Sequence, residues 1–133
     1  MQLTNAQVLN VMRGLNAFSQ KTLPVKLSWR IATAIRTLDP FAKALDESLK
    51  EIRVRYAVKD ELGNFVPAQD KDGISIPDTI QIPQNKISVL NMEMDELLNE
   101  HVEIHNVSLD LSDFPDTLEI EPAILTLLTP IIS

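Results

Sequence analysis

Apolar residues recur at alternating steps of four and three between residues 31 and 56, and no other feature constrains the fold as strongly. A seven-residue repeat of this kind places its side chains along one seam of a helix, which another element must cover. The sequence therefore predicts a long helix with a buried seam. The seam consists of Ile31, Ile35, Leu38, Ala42, Leu45, Leu49, Ile52 and Tyr56.

Pro40 lies inside this repeat and leaves two possibilities open. Either one helix ends and Asp39 caps a new one, or a single helix bends at the proline. The repeat keeps its phase across Pro40, which favours a continuous, kinked helix from about residue 24 to residue 62.

Residues 85–100 repeat the same spacing, because Ile87, Leu90, Met94 and Leu97 fall on one face of a predicted helix. This face matches the seam of the long helix. We therefore expect the two helices to form an antiparallel helical hairpin, with Glu93 and the acids after it beside the basic flank of the long helix.

Local signals predict the smaller elements. Thr4 and Gln7 have the spacing of a capping box, which starts a short N-terminal helix that ends near Lys21. Apolar and polar residues alternate between 107 and 120, which predicts a small C-terminal β-hairpin, and Glu121-Pro122 opens a short apolar helix at 123–128.

Residues 63–83 carry glycines and prolines and are predicted to be a connector, in which Phe65-Val66 pairs with Ile74-Ser75-Ile76 if a small hairpin forms. No internal repeat is recognised. The expected fold class is α+β, mainly α, and the length of the chain predicts a single domain over residues 1–133.

The composition excludes several classes of protein. The chain has no cysteine, which excludes a disulfide framework, a thiolate metal site and a cysteine nucleophile. The first residues lack the pattern of a signal peptide, and no segment approaches the ~18 apolar residues that cross a bilayer. We therefore expect a protein that is neither secreted by a signal peptide nor membrane-spanning.

Charge is distributed unevenly along the chain. The net charge is −7, with a positive balance over residues 1–60 and a strongly negative balance over residues 61–133. This asymmetry predicts either that the two halves form ion pairs within one fold or that copies of the chain meet basic face to acidic face. We favour the first, since oppositely charged elements of a small domain usually touch.

Two clusters have residue types that bind metals. On a strand, His101, Glu103 and His105 would share one face and offer a divalent cation three ligands; the alternative is a polar face opposite Val102 and Ile104. We favour the polar face, because the sequence shows no fourth ligand. The run 70–73 is similar to a calcium loop, but Gln81 stands where such a loop ends in glutamate, so a solvated turn is expected.

Catalysis and nucleic-acid binding are not expected. The histidines at 101 and 105 are the only two in the chain, and there is no phosphate-binding loop and no cofactor motif. Basic residues decorate the long helix, yet the net charge of −7 and the lack of interleaved aromatic residues argue against nucleic acid. Those basic residues are Lys26, Arg30, Arg36, Lys43, Lys50, Arg53 and Arg55.

Four apolar side chains are predicted to anchor a protein partner: Trp29, Phe114, Ile131 and Ile132. Tryptophan is typical of cores and interfaces, and Trp29 has apolar neighbours in Val25 and Ile31. The apolar run at the C-terminus either closes the core of the domain or projects as an adhesive patch.

Residues 23–28, the helix leading to Tyr56, and residues 59–64, 95–104 and 121–123 follow one another along the chain. This order of segments resembles that of small uncharacterised proteins encoded by tailed bacteriophages. The resemblance implies a phage origin and carries over no catalytic residue. We therefore expect synthesis in the host cytoplasm and a non-enzymatic structural or assembly component of the virion, which contacts phage structural proteins or copies of itself. The alternative is a small inhibitor whose acidic half binds a host protein.

Overall fold

The computed structural model describes all residues from Met1 to Ser133. Helices, with short 3₁₀ turns included, account for 56% of them, which confirms a mainly α chain with a small antiparallel sheet. The 3₁₀ turns lie at Gln84–Lys86, Leu111–Asp113 and Thr129–Ile131. The α-helices are α1 (Asn5–Phe18), α2 (Val25–Tyr56), α3 (Ile87–Asn99) and α4 (Pro122–Leu128), and the strands are β1 (Gln2–Thr4) and β2 (His101–Glu103).

The chain divides into two compact units. Unit 1 consists of residues 1–45 and 98–133, and unit 2 consists of residues 46–97. Helix α2 therefore contributes its first part to unit 1 and its last part to unit 2. A single domain over residues 1–133 stays a prediction.

The N-terminus of unit 1 forms the capping box that the sequence predicts. The Gln7 N–H donates to Oγ1 of Thr4 at 3.1 Å, and the Thr4 N–H donates back to Oε1 of Gln7 at 2.9 Å. The cap residue and the two residues before it form β1, which pairs antiparallel with β2 so that Leu3 lies opposite Val102. Together, cap and sheet fix the start of α1 to the segment that follows α3.

The small sheet therefore lies elsewhere than predicted. Residues 107–120 form no hairpin: Leu109 instead makes an isolated parallel bridge with Ile132, and the Ser133 N–H donates to the Leu109 carbonyl at 2.9 Å. Val107 and Leu109 are buried, as their alternation indicates. Alternation identifies an extended segment with one buried face but does not specify which segment pairs with it.

Helix α2 continues through Pro40 without interruption. Its seam residues Ile31, Leu38, Ala42 and Leu45 are buried within unit 1. Only the end of the seam, from Leu49 to Tyr56, shares unit 2 with most of α3, so the predicted pairing of the two helices applies to that end alone.

Unit 1 also contains a close approach of α1 to α4. Gly14 is buried, and a Cβ at this position would lie 3.0 Å from Cβ of Leu127 and 3.0 Å from Cδ2 of Leu128. Both contacts are shorter than ordinary van der Waals distances. Glycine is therefore what allows the two helices to pack this closely.

In unit 2, Glu93 of α3 joins the last turn of α2. It accepts a hydrogen bond from the Arg55 guanidinium at 3.0 Å and one from the Tyr56 hydroxyl. The hydrogen bond to Glu93 raises the pKa of Tyr56 above its ordinary value. The predicted approach of Glu93 to the basic flank of α2 is confirmed.

Between α2 and α3 lie two equivalent turns that the sequence analysis missed. Residues 58–67 and 68–77 align as VKDELGNFVP and AQDKDGISIP. In each turn one aspartate, Asp60 or Asp70, accepts two backbone N–H groups at 2.9 Å, and a glycine adopts a φ near +80°. The chain thus contains a ten-residue repeat, and its second copy is a turn where a calcium loop was considered.

The repeat also corrects the pairing within the connector. Each copy closes on itself, through bridges of Lys59 with Phe65 and of Gln69 with Ser75. The predicted pairing of Phe65-Val66 with Ile74-Ser75-Ile76 is therefore wrong. A left-handed glycine three residues after an aspartate favours these local closures.

Replacing Gly14 by alanine tests the packing of α1 on α4. Alanine gains ~1 kcal/mol of helix propensity, but overpacking costs about 1–3 kcal/mol because Cβ of Leu127 is fixed to the α4 backbone. We expect a net loss of about 1 kcal/mol in the free energy of unfolding, measured by urea denaturation. The control is Asn16→Ala on the exposed face of α1. A Gly14→Ala variant as stable as the control would contradict this packing.

Candidate functional site

The only tryptophan of the chain lies on the surface of unit 1. Trp29 is 64% exposed, and Val25, one helical turn before it, is 87% exposed. Residues four apart on a helix are neighbours, so the two side chains form one apolar patch. Ile31 is buried, as predicted, but Val25 is not.

A groove of about 360 Å³ adjoins this patch. It is lined by Trp29, Arg30 and Thr33 from α2 and by Asn106 and Ser108 from the segment after β2. Asn106 adopts a φ of 63°, a left-handed conformation that asparagine tolerates better than most residues. The groove therefore combines an aromatic face with a guanidinium, an amide and hydroxyl groups. We call it the Trp29 groove.

Asp113 holds the loop beside the groove against α2. Its side chain is only 11% exposed, and its Oδ1 lies 3.0 Å from Nζ of Lys26. Arg30 Nε lies 3.3 Å from Oδ2, an ion pair that does not meet the geometry of a hydrogen bond. One carboxylate thus orients two cations of α2.

Asp110 fixes the same loop from within. Its Oδ1 accepts the Ser112 N–H at 2.9 Å and so caps the turn Leu111–Asp113. This hydrogen bond lowers the pKa of Asp110 below its ordinary value, and the nearby charges of Arg30 and Lys26 add to the effect. The loop is therefore attached by both a cap and ion pairs.

Arg36 completes the surface around Trp29. Its guanidinium carbon lies 5.5 Å from the centroid of the indole ring, a cation–π contact. No carboxylate lies within ion-pair distance of Arg36, whereas Lys26 and Arg30 share Asp113. We call Val25, Trp29 and Arg36 together with the groove the Trp29 surface.

Other ion pairs follow the charge asymmetry of the sequence. Within unit 1, Lys21 pairs with Glu121 and the N-terminal amine pairs with Glu103; in unit 2, Arg55 pairs with Glu93. Each joins a cation of the first sixty residues to an acid of the rest. The prediction that the two halves form ion pairs within the fold is confirmed.

The four predicted anchors do not come together. Trp29 is exposed, and Phe114 is half-buried with its ring centroid 5.5 Å from that of Phe18. Ile131 is 1% exposed and belongs to the core of unit 1, so its prediction as a partner contact is wrong. Ile132 is half-buried and bridges Leu109. The C-terminal run closes the core because Leu109 supplies the backbone groups that it pairs with.

The candidate metal ligands His101, Glu103 and His105, which the sequence analysis did not favour as a metal site, do not form a cluster. No group of three His, Asp or Glu side chains has a geometry that could hold a metal ion. His101 and Glu103 belong to β2 and are exposed, and Glu103 pairs with the N-terminal amine at 3.0 Å. His105 lies beyond the strand, beside the left-handed Asn106, so the strand periodicity does not reach it.

Sequence reasoning found Trp29 and its neighbour Val25, but it did not place them on one exposed surface with Arg36. Val25 and Arg36 carried a usable signal, because positions 25, 29 and 36 share one side of a helix, opposite to the seam. No signal in the sequence links Trp29 to Asn106, Ser108 or Asp113. They are about eighty residues away in the sequence, and only the folded chain brings them to α2.

Comparison with protein-family models, with curated proteins and with solved structures gives no match for this chain. Its function must therefore be inferred from its own side chains. None of its helices combines the length and the apolar character that a membrane crossing requires.

Fluorescence quenching tests the surroundings of Trp29, which is the only indole in the chain. We expect iodide to quench it more efficiently than caesium, because Arg36 attracts anions to the exposed ring. Arg36→Gln should reduce this difference. Lys43→Gln is the control, since Lys43 lies about 21 Å along the helix axis from Trp29. Equal quenching by both ions in the unchanged protein would argue against this geometry.

Replacing Asp113 by asparagine tests the attachment of the loop. We expect a loss of about 1–2 kcal/mol in the free energy of unfolding, since Lys26 and Arg30 lose a largely buried carboxylate but remain accessible to water. Asp116→Asn, an exposed neighbour, should change it by less than about 0.5 kcal/mol. Equal stabilities in urea denaturation would show that the ion pairs do not hold the loop.

Proposed function

We propose that this chain is a non-enzymatic protein-interaction module, and that the Trp29 surface is where it binds its partner. The observation that carries the proposal is the exposure of the sole tryptophan beside an exposed valine. Tryptophan and arginine are enriched among the residues that dominate binding energy at interfaces, and here Trp29 and Arg36 are in contact.

The chemistry of the groove supports binding. An indole face supplies a large apolar area with few rotatable bonds, while Arg30, Asn106 and Ser108 offer hydrogen-bonding groups at its edge. The Thr33 hydroxyl already donates to the Trp29 carbonyl at 2.9 Å. An apolar centre with a polar edge is the usual composition of a protein interface.

We place this module in a tailed phage, as a structural or assembly component of the virion. The support is the resemblance of segments described above, together with a net charge that disfavours nucleic acid as the partner. The proposed partners are phage structural proteins or other copies of the chain. A small inhibitor of a host protein is the second candidate, supported by the acidic C-terminal half.

The finer description of the fold belongs to the same proposal. We propose that α2 bends at Pro40 and that its end packs antiparallel to α3 within unit 2. The contacts of Glu93 with Arg55 and Tyr56 support the second point. Such a hairpin would give the module a rigid second unit.

Mass spectrometry of purified virions, combined with variants, tests the proposal. We expect peptides of this chain in virions of the phage that encodes it. Trp29→Ala should reduce its incorporation at least about 30-fold, the loss typical of an interface hot spot. Because Trp29 is mostly exposed, circular dichroism and thermal unfolding should show a folded variant.

Leu62→Ala is the matched control, because Leu62 is apolar and even more exposed than Trp29, at 86%, but lies in the first turn of the ten-residue repeat in unit 2. It should be incorporated like the unchanged chain. A chain that is absent from virions and instead binds a host enzyme as a monomer would support the inhibitor. Incorporation that is insensitive to Trp29→Ala would reject this surface as the contact.

A further inference from the structure

Helix α3 presents a second exposed apolar face that its own unit leaves uncovered. Val89 is 43% exposed and Met92 is 62% exposed, one turn apart on the same side of the helix. Leu90 points away from this face and is buried, and Glu93, at the border between the two sides, binds Arg55 and Tyr56. One side of α3 is thus used within unit 2, and the other is free.

This free face ends in an unpaired acid. Glu96 follows Met92 by one turn, is exposed, and has no cation within ion-pair distance. Val89, Met92 and Glu96 fall within about 60° of one another around the helix axis. We call these three residues the α3 outer face.

The α3 outer face and the Trp29 surface have the same arrangement of apolar and charged side chains, but the charged residue is acidic in the first and basic in the second. Each presents two apolar side chains one turn apart, followed toward the C-terminus by a charged residue without an ion-pair partner. That residue is Arg36 in one case and Glu96 in the other. Their apolar centres can cover each other while the two charges meet at one end.

We propose that the Trp29 surface of one copy of this chain binds the α3 outer face of another copy. The proposal rests on the proposed function and names a second copy as the partner of that surface. A symmetric contact between two Trp29 surfaces gives neither Arg36 an acid, and a contact between two α3 outer faces gives neither Glu96 a cation. Only the unlike pairing joins opposite charges.

An unlike contact leaves one free surface of each kind on every pair. Head-to-tail contacts of this type close into rings or extend as filaments, which is how many assembly components act. Two short helical faces form a small interface, so we expect association at concentrations between about 10 µM and 1 mM. Added salt should weaken it, because the charges are exposed.

Charge reversal with sedimentation analysis tests the pairing. We expect Arg36→Glu alone and Glu96→Lys alone each to weaken self-association at least about tenfold, because each places like charges together. Combining both changes in one chain should restore it. An equal mixture of the two single variants should also associate, since each supplies the surface that the other needs.

Two controls match the charge changes at exposed positions elsewhere: Lys71→Glu and Asp116→Lys. Both should associate like the unchanged chain. Absence of self-association up to about 1 mM, or loss that neither the double variant nor the mixture reverses, would overturn the proposal. Arg36→Glu that associates as strongly as the unchanged chain would show that no acid faces Arg36 in the contact and would overturn it as well.

This result is separable from the test of function. If Trp29→Ala blocks incorporation into virions while the pure chain stays monomeric, the proposed function stands and the contact between copies fails. If the charge-reversal pattern appears but virions lack the chain, the contact between copies stands and the proposed function fails.

Discussion

Burial of one side of α2 determines where the functional candidates of unit 1 lie. Leu27, Ile31, Ala34 and Leu38 are all 2% exposed or less, so this side of the helix cannot face water without losing the hydrophobic free energy that holds the unit together. The helical period then places residues 25, 29 and 36 on the opposite side. The exposure of Trp29 is a consequence of the core, because no rotation of α2 buries both sides.

The second constraint is the attachment of the loop around Asp113. Exposed ion pairs contribute little to stability, but this carboxylate is largely removed from water and orients Lys26 and Arg30 at once. Together with the Asp110 cap, it places the segment that carries Asn106 and Ser108 beside the indole. The groove therefore depends on a tertiary ion-pair cluster, although its aromatic face depends on helix periodicity alone.

Each unit contains ion pairs between its own residues, and each also has a charged side chain without an ion-pair partner. Cations of the first sixty residues pair with acids of the rest in each unit, yet Arg36 and Glu96 remain without ion-pair partners beside exposed apolar side chains. Apolar area gives an interface its affinity, and unpaired opposite charges select which surfaces meet. The uneven distribution of charge that stabilises each unit through ion pairs thus also favours contact between unlike surfaces of two copies.

The sequence alone determined the features that depend on neighbours within a few helical turns. These features are the capping box at Thr4, the continuity of α2 through Pro40 and the helical character of residues 87–99. Only the tertiary structure decided that Leu109 pairs with Ile132, that Ile131 is core, and that His105 leaves the strand. Period-two alternation and apolar composition show that a segment is buried on one side. They do not name its partner, because backbone hydrogen bonds are identical for every sequence and the choice is made by packing across the whole chain.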